Sequence, residues 1–213
     1  MIAGGRAAIL AIEWMLATTV ALVLAHLAVE IAGAALLGYA LLLMLPLIGG
    51  ALGLPVGVLQ WLVLRRHADG DDSWILFTIV GFVAAWMVAL IVAAALFVPS
   101  SGLSGARAFA SLALATPMIG WSQSKALRRW SADARLWMFA SALGWTGCAA
   151  VGVFGQHDLP DVDRLAGRVI SAIAGFPVES SVGATLVGGA VAGAVTGLAL
   201  AMVLRNRRLD GER

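Results

Sequence analysis

The chain has 213 residues, of which 61% are hydrophobic and only 12% charged, with a net charge of +2 and a mean hydropathy of +0.95. Soluble domains carry about 25% charged residues, so this composition excludes a soluble globular protein and points to a multi-span membrane protein. The pI of 9.3 does not indicate a nucleic-acid partner, because the basic residues are scattered at the ends of apolar stretches and form no patch.

A helix needs about 20 apolar residues to cross the hydrocarbon core, so the intervals free of charge locate the spans. In chain order they fall near residues 9–29, 42–64, 74–98, 108–127, 136–156 and 183–204. The first follows Arg6 and is interrupted by Glu13; it reads as a true span rather than a cleaved signal peptide. The 34 uncharged residues between Glu30 and Arg65 are too few for two full helices and a turn. They read as a Gly33 to Gly38 turn region followed by one helix. The third span ends at Val98-Pro99-Ser100-Ser101-Gly102, a run of helix breakers. Between the last two spans lies a polar loop, Gln156 to Ser181, where Val162, Leu165, Val169 and Ile173 share one helical face and predict an amphipathic helix on the outer surface, within 157–181. The expected fold is all-α, a polytopic transmembrane bundle of six spans forming a single membrane domain.

Six spans leave both termini on one side. Arg6, Arg65, Arg66, Lys125, Arg128, Arg129, Arg135, Arg205, Arg207, Arg208 and Arg213 fall on that side, 11 of the 14 basic residues, against Arg107, Arg164 and Arg168 on the other. That imbalance places both termini in the cytoplasm of a cytoplasmic (inner) membrane. Trp14, Trp61, Trp74, Trp130 and Trp137 all fall near cytoplasmic ends, where the indole ring is expected at the headgroup level.

An internal repeat organises the apolar sequence. Gly57-Val-Leu-Gln60-Trp-Leu-Val-Leu64-Arg65-Arg66 matches Gly120-Trp-Ser-Gln123-Ser-Lys-Ala-Leu127-Arg128-Arg129 at an offset of 63, which also aligns Trp74 with Trp137 and Gly81 with Gly144. A third copy, Gly197 to Leu204-Arg205, follows 77 residues after the second, with Leu200 in place of the glutamine. The Trp14-Met-Leu-Ala-Thr18 segment matches Trp74 to Thr78 at an offset of 60. Three tandem, like-oriented helical hairpins result, over about 6–66, 67–129 and 130–208, each running out on a Trp-led helix and returning on a Gly-rich one. The Gly-x-x-Gln-Trp-x-x-Leu-Arg-Arg block with its following Trp-led helix resembles uncharacterised small bacterial polytopic membrane proteins that carry this block more than once. The resemblance covers residues 50–82 and 113–145 and implies no activity.

Several residues are candidates for packing or function. Gly49, Gly53 and Gly57 recur every four residues, as do Gly189, Gly193 and Gly197; with Gly120, flanked by Thr116 and Ser124, they form helix-packing stripes that let a neighbouring backbone approach, within the chain or between chains. Pro55 and Pro117 sit in equivalent helices, free the carbonyls of Ala51 and Ala113, and predict kinks. Gln60, Gln123 and Thr116 are either interhelical glue or the lining of a polar path between the return helices. His26 and Glu30, four residues apart, form a candidate proton-sharing pair near the outer boundary. Lys125 snorkels to the headgroups, and Glu13 is solvated at the inner interface. The sole cysteine, Cys148, has no partner for a disulfide, and His157, Asp158, Asp161 and Asp163 lack a spacing that demands a metal.

No nucleophile with a base, metal-ligand set or phosphate loop emerges, so neither catalysis nor a cofactor is expected. The chain reads as a non-enzymatic scaffold or accessory subunit of a membrane complex, with the lipid bilayer and other membrane subunits or further copies as partners. The alternative is a small solute, ion or lipid transporter or channel component.

Overall fold

The computed structural model describes residues 2–35, 41–68, 71–96, 105–128, 134–155, 168 and 182–211. In chain order its helices are α1 (Ile2–Ala35), α2 (Leu41–His67), α3 (Ser73–Leu96), α4 (Gly105–Ala115), α5 (Pro117–Leu127), α6 (Arg135–Phe154) and α7 (Val182–Gly211). No strand occurs among the described residues. Among the described residues, five stretches are long and apolar enough to cross a membrane: Gly5–Val29, Leu47–His67, Ser73–Ala95, Arg135–Phe154 and Val182–Leu204. Helical structure is the natural state of such segments, since a backbone in hydrocarbon must satisfy its polar groups within the segment. The expected outer amphipathic helix, apart from Arg168, and its acidic cluster lie outside the described residues. Of the expected Gly33 to Gly38 turn, residues 33–35 are not turn but the end of α1, and the rest lies outside the described residues.

The expected fourth span, 108–127, is not one helix but two of 11 residues each. Pro117 has no N–H for the carbonyl of Ala113 and its ring clashes with that turn. The Thr116 hydroxyl takes the carbonyl instead, donating to Ala113 O at 3.0 Å. Helix α2, in contrast, carries Pro55 within an unbroken helical segment.

Each helix packs on its neighbours in the chain, and α7 returns to pack on α1, its most extensive contact. The helices therefore make a closed ring in which α4 and α5 share one place. Neighbours run antiparallel: moving along α2, Gly49, Gly53 and Gly57 meet Val83, Ile79 and Ile75 of α3. Inside the ring lie two apolar clusters. One holds Trp14, Leu64, Trp74, Leu127, Trp137 and Leu200; the other holds Ala21, Val56, Phe82, Ile119, Trp145 and Ala192. Large apolar side chains also point outward, among them Leu16, Leu76, Phe139 and Leu198. In lipid, apolar burial alone gives little drive for helix association, so close packing and hydrogen bonds must hold the ring.

Candidate functional site

Between the two apolar clusters lies a layer of six polar side chains, one from each place around the ring. Thr18, Gln60, Thr78, Gln123, Ser141 and Thr196 are all buried, none more than 1% exposed. Each sits four residues from a member of either cluster on its own helix. One helical turn therefore separates the layer from apolar packing on both sides.

The layer is joined by hydrogen bonds across the ring. Gln60 Nε2 donates to Thr18 Oγ1 at 3.0 Å, and Gln123 Nε2 donates to Thr78 Oγ1 at 3.1 Å. The same Gln123 nitrogen lies 3.4 Å from Gln60 Oε1, linking α2 to α5, which are not neighbours in the ring. Thr196 Oγ1 accepts the Trp14 indole N–H at 3.0 Å and donates to its own helix at Ala192 O, 2.7 Å away. The layer thus brings together Gln60 and Gln123, two of the residues singled out in the sequence. It also contains Thr18, Thr78, Ser141 and Thr196, which sequence reasoning did not select. Their signal is a hydroxyl four residues after each leading tryptophan, or three after a packing glycine, within otherwise apolar helices.

A tryptophan triangle floors the layer. Trp14, Trp74 and Trp137 are fully buried and meet edge to face, with ring centroids 5.6, 5.8 and 5.5 Å apart. That arrangement sets the positive ring edge of one against the negative face of the next. These three are expected from the sequence to face the headgroups; instead their rings turn toward the ring's centre. Trp61 is half-buried beneath the Arg65 guanidinium, 5.2 Å from its ring centroid. Trp130 lies outside the described residues.

The glycines lie against neighbouring backbones. A Cβ at Gly49, Gly53 or Gly57 would come within 2.7, 2.8 or 3.2 Å of a Cα on α3, and one at Gly189, Gly193 or Gly197 within 2.9, 2.7 or 3.3 Å of a Cα on α1. At Gly120 the nearest atom is Ser141 Cβ on α6, at 2.9 Å. Gly57, Gly120 and Gly193 occupy corresponding places, each facing the residues one and four positions after a leading tryptophan: Ile75 and Thr78, Met138 and Ser141, Met15 and Thr18. The third segment corresponding to Gly57–Leu64 is therefore Gly193–Leu200, four residues before the register read from the sequence. Thr196, not Leu200, takes the place of the glutamines.

The remaining candidates lie elsewhere. Thr116 is outside the layer, its hydroxyl 2.9 Å from Thr146 Oγ1 and 3.3 Å from Ala142 O on α6. His26 is half-buried, while the Glu30 side chain of the expected pair lies outside the described residues. Lys125 is exposed, its Nζ 3.8 Å above the Trp121 ring centroid. Glu13 is not simply solvated: its Oε2 meets His67 Nε2 at 3.0 Å, with Arg66 at 3.9 Å, tying α1 to the end of α2. A shallow apolar notch of about 270 Å³, lined by Pro117, Met118, Trp121 and Met138, opens beside the α4–α5 break.

No protein-family model, curated protein or solved structure matches the chain.

Proposed function

We propose that the chain is an inner-membrane scaffold or accessory subunit without enzymatic activity, built from three like-oriented hairpins with both termini in the cytoplasm. The observation that carries this reading is the filled centre of the ring. Gln60 and Gln123, the residues that would line a path, bond to each other and to threonines, and the three tryptophans close against one another beneath them. A coupled carrier would ordinarily hold ionisable groups at such a depth, whereas all six residues of the polar layer are neutral. The matching places of Trp14, Trp74 and Trp137, and of Gly57, Gly120 and Gly193, support the threefold hairpin organisation. With the ring closed on itself, its outward apolar side chains are left for lipid and for partner subunits.

Purification from native membranes in mild detergent tests the reading. Recovery at a fixed ratio with other membrane proteins is the expected result. Recovery alone, together with ion or solute flux in liposomes that Gln60→Ala and Gln123→Ala abolish while the helices persist, would overturn it in favour of a transporter.

A further inference from the structure

The polar layer is complete at two of its three corresponding stations and incomplete at the third. At the first two, a glutamine amide nitrogen reaches the hydroxyl of the preceding Trp-led helix: Gln60 to Thr18 and Gln123 to Thr78. The Gln123 nitrogen also faces Gln60 Oε1. Carried one station onward, the same two acceptor positions are Ser141 Oγ and Gln123 Oε1. Both are buried and neither has a hydrogen-bond partner. The residue whose side chain would serve them is Thr196. It is two heavy atoms shorter than glutamine, and its hydroxyl is committed to Trp14 and Ala192.

The buried indole nitrogens of Trp74 and Trp137 also lack a partner, and Trp137 lies one helical turn from Ser141 on α6. Trp14 donates to the residue at the glutamine station of its neighbouring helix; the corresponding neighbour of Trp137 is Gln123, and the buried Trp137 indole nitrogen has no acceptor. A buried polar group left unpaired costs about 1–3 kcal/mol, and native proteins almost always supply a partner. We propose that this corner, between α5 and α6, binds one water molecule. The water donates to Gln123 Oε1 and Ser141 Oγ and accepts from the Trp137 N–H. Three hydrogen bonds are the usual complement of a buried water. A small ligand that both donates and accepts fits the two acceptors, Gln123 Oε1 and Ser141 Oγ, together with the Trp137 N–H donor.

The test is a map of the full chain in lipid nanodiscs at a resolution that shows ordered water, for the native protein and for Thr196→Gln. The expected native map has a peak about 2.7–3.2 Å from both Gln123 Oε1 and Ser141 Oγ. In Thr196→Gln the peak is lost, the new amide nitrogen taking both acceptors. If that variant does not fold, Ser141→Val removes one acceptor and fills its place with a methyl group, and it is also expected to lose the peak. A native map without a peak, with the Ser141 hydroxyl turned onto a backbone carbonyl, overturns the proposal. So does a peak that survives unchanged in a folded variant.

Discussion

Gly49 and Gly50 are neighbours in the chain with opposite surroundings. A Cβ at Gly49 would lie 2.7 Å from the Val83 Cα, whereas one at Gly50 would meet nothing within 4 Å. The atom opposing Gly49 is backbone, so relief requires α2 and α3 to move apart. Gly49→Ala is expected to destabilise the protein by about 1–3 kcal/mol, read as a lower thermal unfolding midpoint in detergent. Gly50→Ala is expected to be neutral or stabilising, because alanine is the better helix former by about 1 kcal/mol. Equal effects at the two positions would refute the close-packing account. The four-residue spacing is legible in the sequence because it keeps small residues on one face. The partner is not legible, since a glycine says that a backbone comes close without saying whose. Tryptophan shows the same division. The charges beside Trp14, Trp74 and Trp137 give their depth, but whether a ring points outward or inward depends on neighbours that the sequence does not identify. The shift from Leu200 to Thr196 has a related cause: a slip of four residues keeps the same helix face, and it is the contacts of Gly193 with Met15 and Thr18 that separate the two registers.

At the level of elements, the α4–α5 break rests on a pair of adjacent residues. Pro117 denies Ala113 O its usual donor, and Thr116 replaces it while also binding across to Thr146. Thr116→Val is expected to cost about 1 kcal/mol in the native background. The loss should be smaller in Pro117→Ala, where a backbone N–H can again reach Ala113 O. A double-mutant cycle on unfolding free energies measures this difference, and strictly additive losses would show that the hydroxyl does not substitute for the missing N–H. The sequence reveals the freed carbonyl, yet it does not distinguish Pro117 from Pro55. The structural difference lies one residue upstream. Thr116 is tied by its hydroxyl to α6, while Leu54 is 50% exposed on the outer face and has no polar group to divert the chain.

For the molecule as a whole, the decisive contact joins its first and last helices. From the place where Gly197 meets Ala11, α1 continued toward its N-terminus and α7 toward its C-terminus reach the same end of the ring. A circular permutant that links residues 213 and 1 through a short flexible segment and opens the chain at residues 69–70 is therefore expected to keep the helical content and most of the thermal stability of the parent. Circular dichroism and thermal unfolding in detergent check this; collapse of the permutant to an unfolded or aggregated state would contradict the ring. The sequence gives no hint of closure, because contacts between residues as distant as Trp14 and Thr196 leave no periodic signal in either segment. Closure also sets a timetable for biogenesis. During synthesis α1 is made well before α7, the helix it packs on most extensively, so the Trp14 indole has no Thr196 hydroxyl to meet until 182 further residues have been added. Until then the growing protein is an open arc whose free edges must be shielded by the insertion machinery or by lipid.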